Sequence, residues 1–66
     1  MVVGNVYIIK ELFSGQTRKI KLLEKINEIY NIEFLDVENK PKKTYLINKF
    51  KSEFKIIETI GLEIEF

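Results

Sequence analysis

The stretch Val6-Tyr7-Ile8-Ile9-Lys10-Glu11-Leu12-Phe13-Ser14-Gly15-Gln16-Thr17-Arg18-Lys19-Ile20-Lys21-Leu22-Leu23-Glu24-Lys25-Ile26-Asn27-Glu28-Ile29 decides how the chain is read. Val6 to Ile9 are apolar, and three of the four are β-branched, which is a strand signal. Phe13 to Thr17 reads as a loop. Ser14 offers the side chain of a helix N-cap, and Gly15 tolerates the turn. From Arg18 onward, Ile20, Leu23, Ile26 and Tyr30 recur at helical spacing, with Leu22 and Ile29 widening the stripe. Lys19, Lys21, Lys25 and Glu28 fall on the other side. The spacing therefore predicts an amphipathic helix over Arg18–Ile29, with Asn31 as its C-cap. Glu24 and Glu28 are like charges one turn apart, so the apolar face rather than surface pairing holds this helix.

Working outward, the strand extends back to Val2, and Ile32 to Val37 forms a second strand. Glu38-Asn39-Lys40-Pro41 is a loop, and Pro41 suits the first turn of a helix. Leu46, Ile47, Phe50 and Phe54 mark a second amphipathic helix from about Lys42 to Glu53. The chain from Lys55 to Phe66 reads as strand, where Ile60, Leu62, Ile64 and Phe66 alternate with Gly61, Glu63 and Glu65. The predicted order is β-α-β-α-β. The expected class is α/β: one small domain over residues 1–66, with a three-stranded mixed sheet and two helices. A strand-helix-strand unit brings a right-handed crossover, and the continuously apolar first strands favour helices on both faces of the sheet.

A chain of 66 residues buries only about 60% of the surface its unfolded form exposes. Its apolar content of 45% is enough for a core. Eleven basic and ten acidic residues leave a net charge of +1, so no polyelectrolyte character draws the whole molecule to nucleic acid or membrane. There is no Cys, which excludes disulfides, zinc–thiolate sites and thiol chemistry. There is no His, which removes the commonest metal ligand and neutral-pH base. No leader pattern opens the chain, and no apolar run approaches the ~18 residues of a membrane span. The expectation is a cytoplasmic domain without metal or cofactor.

The same order carries a family resemblance. Val6-Tyr7-Ile8-Ile9, a loop, and Arg18-Lys19-Ile20-Lys21-Leu22-Leu23 resemble the opening of a glutaredoxin, with Ser14-Gly15-Gln16-Thr17 on the Cys-x-x-Cys position. Asn31 to Val37 resembles the family's second strand, Lys40 to Phe50 the helix after it, and Thr59 to Ile64 the entry to the third strand. The resemblance implies a thioredoxin-like outline. It departs from the family at the chemistry. Ser14 and Thr17 stand where the cysteines would be, and a hydroxyl cannot replace the thiolate. Gly61 stands where the family has a cis-proline, and the family's further strand, Gly-Gly turn and closing helix have no counterpart. The resemblance thus implies a redox-dead, non-catalytic member with no thiol–disulfide activity.

Four stretches could carry function. Ser14, Gly15, Thr17, Arg18 and Lys19 surround the expected helix N-terminus, whose free N–H groups suit phosphate or a glutathione-like anion. The bland reading makes Ser14 a cap and the cations solubilising. Lys40, Lys42, Lys43, Lys49, Lys51 and Lys55, with Tyr45 and Phe50, sketch a nucleic-acid surface. Against that, Phe50 belongs to the apolar stripe, and Asp36, Glu38, Glu53 and Glu58 dilute the charge. Glu58, Glu63 and Glu65 could serve as paired carboxylates, but no pocket residues accompany them. Finally, Ile60, Leu62, Ile64 and Phe66 define a terminal strand. As an open edge it invites a protein partner or self-association. The leading expectation is an interaction or structural module working through that strand; an anion-binding domain is second and a nucleic-acid-binding domain third.

Overall fold

The computed structural model describes residues 1–62 of the chain. Its elements are β1 (Asn5–Glu11), β2 (Thr17–Ile26), β3 (Ile29–Phe34), β4 (Lys42–Leu46), α1 (Ile47–Glu53) and β5 (Phe54–Leu62). The five strands form one sheet in the order β4-β3-β2-β1-β5, and every neighbouring pair is antiparallel. The first four strands form a meander, and α1 carries the chain back across to place β5 beside β1.

This overturns the expected α/β domain of β-α-β-α-β order with a three-stranded mixed sheet, and with it the thioredoxin-like outline. The predicted helix over Arg18–Ile29 is instead β2, a two-residue turn at Asn27-Glu28 and the start of β3. The reason lies in a second periodicity within the same residues. Ile20 and Leu22 point to the core, whereas Lys19 and Lys21 point away from it, which is strand alternation. The helical stripe needed Leu23 and Ile26 inside. Leu23 falls at a register shift between β2 and β3, and Ile26 is 54% exposed. Asn27 adopts a left-handed backbone, φ 53°, which suits the first position of a tight hairpin turn.

The second predicted helix, Lys42–Glu53, is also corrected. Its first half is β4, and only Ile47–Glu53 is helical. Helix α1 has no side-chain N-cap and is fixed by one buried residue, Phe50. Pro41 opens no helix; its carbonyl accepts a hydrogen bond from the Phe34 amide at 2.9 Å, just ahead of β4. The second strand predicted over Ile32–Val37 becomes β3, shifted towards the N-terminus. The first predicted strand, Val2–Ile9, becomes β1.

The core lies on one face of the sheet. Tyr7 and Ile9 of β1, Ile20 and Leu22 of β2, and Tyr30, Ile32 and Phe34 of β3 meet Phe50 and Phe54 there. The register puts Tyr7 beside Ile20 and Ile20 beside Phe34, so one apolar row crosses three strands. Burying each such side chain contributes about 1.5–3 kcal/mol before chain entropy is set against it. No polar or charged residue is buried among the described residues.

The sheet curls until its two edges approach. Tyr45 of β4 and Phe54 of β5 meet edge to face with centroids 5.6 Å apart, and Phe50 touches both, at 5.8 and 4.9 Å. Tyr30 meets Phe50 at 5.5 Å. Rings, not backbone bonds, close this seam, each such pair adding about 0.5–1.5 kcal/mol beyond burial. Two backbone bonds hold α1 in place. The Ile47 amide donates to the Glu28 carbonyl at 2.7 Å, and the Leu12 amide donates to the Glu53 carbonyl at 2.9 Å.

Candidate functional site

The loop between β1 and β2 contains the residues singled out for anion binding. No helix begins there, so the free N–H groups that motivated an anion site are absent. Ser14 donates its hydroxyl to Glu11 Oε2 at 2.6 Å and accepts the Gln16 amide at 3.3 Å. The Glu11 amide donates to the Gln16 carbonyl, and the Gly15 amide to the Glu11 carbonyl, both at 2.8 Å. Gly15 takes φ +77° to complete this turn. The loop is thus tied internally, and it presents Leu12 and a fully exposed Phe13 to solvent.

The strands separate the remaining members. Arg18 points to the core side of β2, while Thr17 and Lys19 point to the outer face, opposite Lys10 and Ile8. Arg18 is already occupied by anions of the chain itself. Its Nε donates to Asp36 Oδ2 at 2.9 Å, one terminal nitrogen reaches Glu11 Oε1 at 3.5 Å, and its guanidinium carbon lies 4.7 Å from the centre of the Phe34 ring. The hydrogen bond from Arg18 holds the Asp36 carboxyl below its usual range; partial burial opposes the shift, and the charge of Arg18 adds to it. Arg18 is correspondingly shifted up by its bond to Asp36. What sequence reasoning took for a ligand cation is a clamp across the ends of three strands.

The proposed nucleic-acid surface is dispersed as well. Phe50 is buried. Lys42 lies on the outer face and Lys43 on the core side of β4, Lys49 and Lys51 are on α1, and Lys55 lies on β5 opposite Lys10. Of the three carboxylates, Glu58 stands opposite Ile8, and Glu63 and Glu65 lie outside the described residues. Among the described residues, no group of three or more His, Cys, Asp or Glu could hold a metal ion.

The terminal strand is at a sheet edge, as β5. Its register against β1 shifts twice, at Ile57 and at Ile60, where β5 carries an extra residue. Such bulges bend the strand and re-aim side chains. Ile56, Ile57 and Ile60 are 41%, 49% and 49% exposed. Of the predicted edge residues, Ile60 is therefore open to solvent, Leu62 pairs with Asn5, and Ile64 and Phe66 lie outside the described residues. Ile57 is the extra residue of the other bulge, and Ile56 stands opposite Ile9 on the core side of the sheet; sequence reasoning missed both because the bulges break the alternation that revealed Ile60.

Two open recesses flank the aromatic seam. One, of about 170 Å³, is lined by Met1, Tyr30, Phe50, Lys51, Phe54 and Ile56. The other, of about 510 Å³, lies between the β1–β2 loop and the β4 edge, with Phe13, Tyr45 and Phe54 in its walls. No helix among the described residues is long and apolar enough to cross a membrane. Compared with known protein families, characterised proteins and solved structures, the chain shows no match.

Proposed function

We propose that this domain is a non-catalytic protein-interaction module that works through the β5 edge, by self-association or by capture of a protein partner. The observation that carries the reading is the exposure of Ile56, Ile57 and Ile60 together on one edge strand. Exposed apolar residues scattered singly need no explanation, whereas three along one open edge strand suit a contact surface. The two bulges leave little regular ladder to extend, so the contact is made chiefly by these side chains. A sequence without His, the commonest general base near neutral pH, and without a Cys thiol supports a role without catalysis.

Sedimentation velocity across the micromolar range tests the self-association arm. The chain should show concentration-dependent assembly, and Ile57→Lys with Ile60→Lys should abolish it while the circular dichroism spectrum stays unchanged. A chain that stays monomeric, and whose β5 amides shift with no protein partner in a crosslinking screen, would overturn the reading.

A second reading, a small-anion site, is favoured by one observation on the outer face. Lys10 stands directly opposite Lys55, with Thr17 on its other side and Lys19 two residues along β2. Like charges in direct cross-strand register destabilise a sheet, and a phosphate between them would relieve the repulsion. Titration with inorganic phosphate should shift the amides of Lys10, Thr17, Lys19 and Lys55 together. No shift there removes this reading.

A further inference from the structure

Phe13 is fully exposed, yet the backbone around it is fixed. On one side of it the Leu12 amide donates to the Glu53 carbonyl at 2.9 Å. On the other, the Gly15 amide donates to the Glu11 carbonyl at 2.8 Å, and the Ser14 hydroxyl donates to Glu11. Both flanks are ordered before anything touches the ring, so little of the ordering cost of a contact remains to be met. The loop tip, Leu12-Phe13-Ser14-Gly15, carries no charge. It is an apolar knob on a rigid base.

The 170 Å³ recess has the opposite shape. Met1, Tyr30, Phe50, Phe54 and Ile56 give it apolar walls, and Lys51 is the one charged residue that lines it. A closed apolar cavity of about 150 Å³ takes up one benzene, so this recess has room for one phenyl ring. Phe50 already meets Tyr30 and Phe54 there, with centroids 5.5 and 4.9 Å away. An added ring continues that packing at similar distances. Phe13 of the same chain stands at the other, larger groove, beyond Phe54. The ring that enters therefore comes from another molecule.

Knob and recess are neighbours on one surface. Phe54 is a wall of both hollows, and in the ladder it stands opposite Glu11, two residues from Phe13. A two-fold dimer requires this arrangement, in which the same patch on each copy both gives and receives. Because the loop tip is uncharged, the exchange sets no like charge against Lys51. We propose that two copies of the chain pair by each placing its Phe13 ring in the other's recess beside Phe54. Each ring buries about 150–250 Å². Two such contacts fall well short of the roughly 1,200 Å² of a stable interface, so the pairing is weak and transient. The contact goes beyond the reading given for β5: Phe13 lies outside that strand, and only Ile56 is common to both.

The test is run on the parent chain and on the Ile57→Lys/Ile60→Lys chain, so that pairing through Phe13 is read apart from pairing through β5. Amide shifts of residues 12–15 and 51–56 should move together as concentration rises, with a Kd of about 0.1–1 mM in both chains. In an equimolar mixture of isotope-labelled and unlabelled chain, filtered nuclear Overhauser effects should join the Phe13 ring of one copy to the Ile56 methyls of the other. Phe13→Ala removes a fully exposed side chain, and Ile56→Trp fills the recess from its own wall. Each should raise Kd at least about tenfold with an unchanged circular dichroism spectrum. Shifts independent of concentration up to about 2 mM, unchanged pairing in Phe13→Ala, or intermolecular effects from Phe13 to Tyr45 and none to Ile56 would each overturn the proposal. So would loss of the Phe13 shifts in the Ile57→Lys/Ile60→Lys chain, which would assign the pairing to β5. Phe13-dependent pairing in a parent chain that shows no assembly through β5 would support this contact and remove the other.

Discussion

Arg18 reaches Glu11 at the end of β1 and Asp36 beyond β3, and it covers the Phe34 ring. Both charged partners are partly exposed, so the pair with Asp36 is worth about 0.5–1 kcal/mol. Its pH dependence has a defined sign. Because Asp36 titrates below its unfolded value, the contribution is complete above about pH 4–5 and is lost as pH falls through the depressed value. Asp36→Asn should therefore lower stability in urea melts at pH 7 by that amount, with the difference from the parent shrinking as pH falls through the depressed value of Asp36. Arg18→Lys keeps the charge but loses the planar fork and the stacking on Phe34, so it should recover only part of the loss. Gly15 makes a different demand. Space exists for a Cβ, whose nearest neighbour would be the end of Lys10 at 4.0 Å, but φ +77° costs an L-residue roughly 1–2 kcal/mol. Gly15→Ala should destabilise by about that much in the same assay.

At the scale of elements, β2 separates the strand from the helix it resembles. Leu22 is fully buried in β2, whereas Ile26 is more than half exposed. Leu22→Ala should cost about 2–5 kcal/mol, and Ile26→Ala no more than about 0.5 kcal/mol. A helix over the same residues would weight Ile26 more heavily than Leu22, so chemical denaturation of the two variants distinguishes the structures. That the chain from Lys55 onward enters a strand was legible in the sequence, where apolar and polar residues alternate; that this strand lies at the sheet edge comes from the topology. The β1–β2 and β2–β3 hairpins were not legible, because Ile20, Leu23, Ile26 and Tyr30 satisfy the helical period while Arg18, Ile20 and Leu22 satisfy the strand period. The β-branched content and the Asn27-Glu28 turn were the signals favouring strands. The candidate site was less legible still. Ser14 with Glu11 is local, but Arg18 with Asp36 depends on strand register. The groove depends on β4 and the β1–β2 loop meeting across the sheet.

At the scale of the whole molecule, a domain of this length at roughly 0.05–0.15 kcal/mol per residue has only a few kcal/mol of stability. Leu22→Ala should accordingly leave much of the population unfolded at room temperature. The strand order adds a consequence for how the fold assembles. The β1–β2, β2–β3 and β3–β4 hairpins join neighbours in sequence, but the β1–β5 ladder joins Val6 to Gly61. Closing that distance carries a loop entropy the hairpins avoid. The meander should therefore zip first and β5 dock last, and substitutions in β5 should mainly speed unfolding rather than slow refolding. Native-state hydrogen exchange would show β5 amides opening at lower free energy than those of β2, with the β1 amides bonded to β5 opening alongside them. A strand that detaches before the rest also gives two copies a route to trade it, and α1, which links β4 to β5, is the hinge such a domain swap would use.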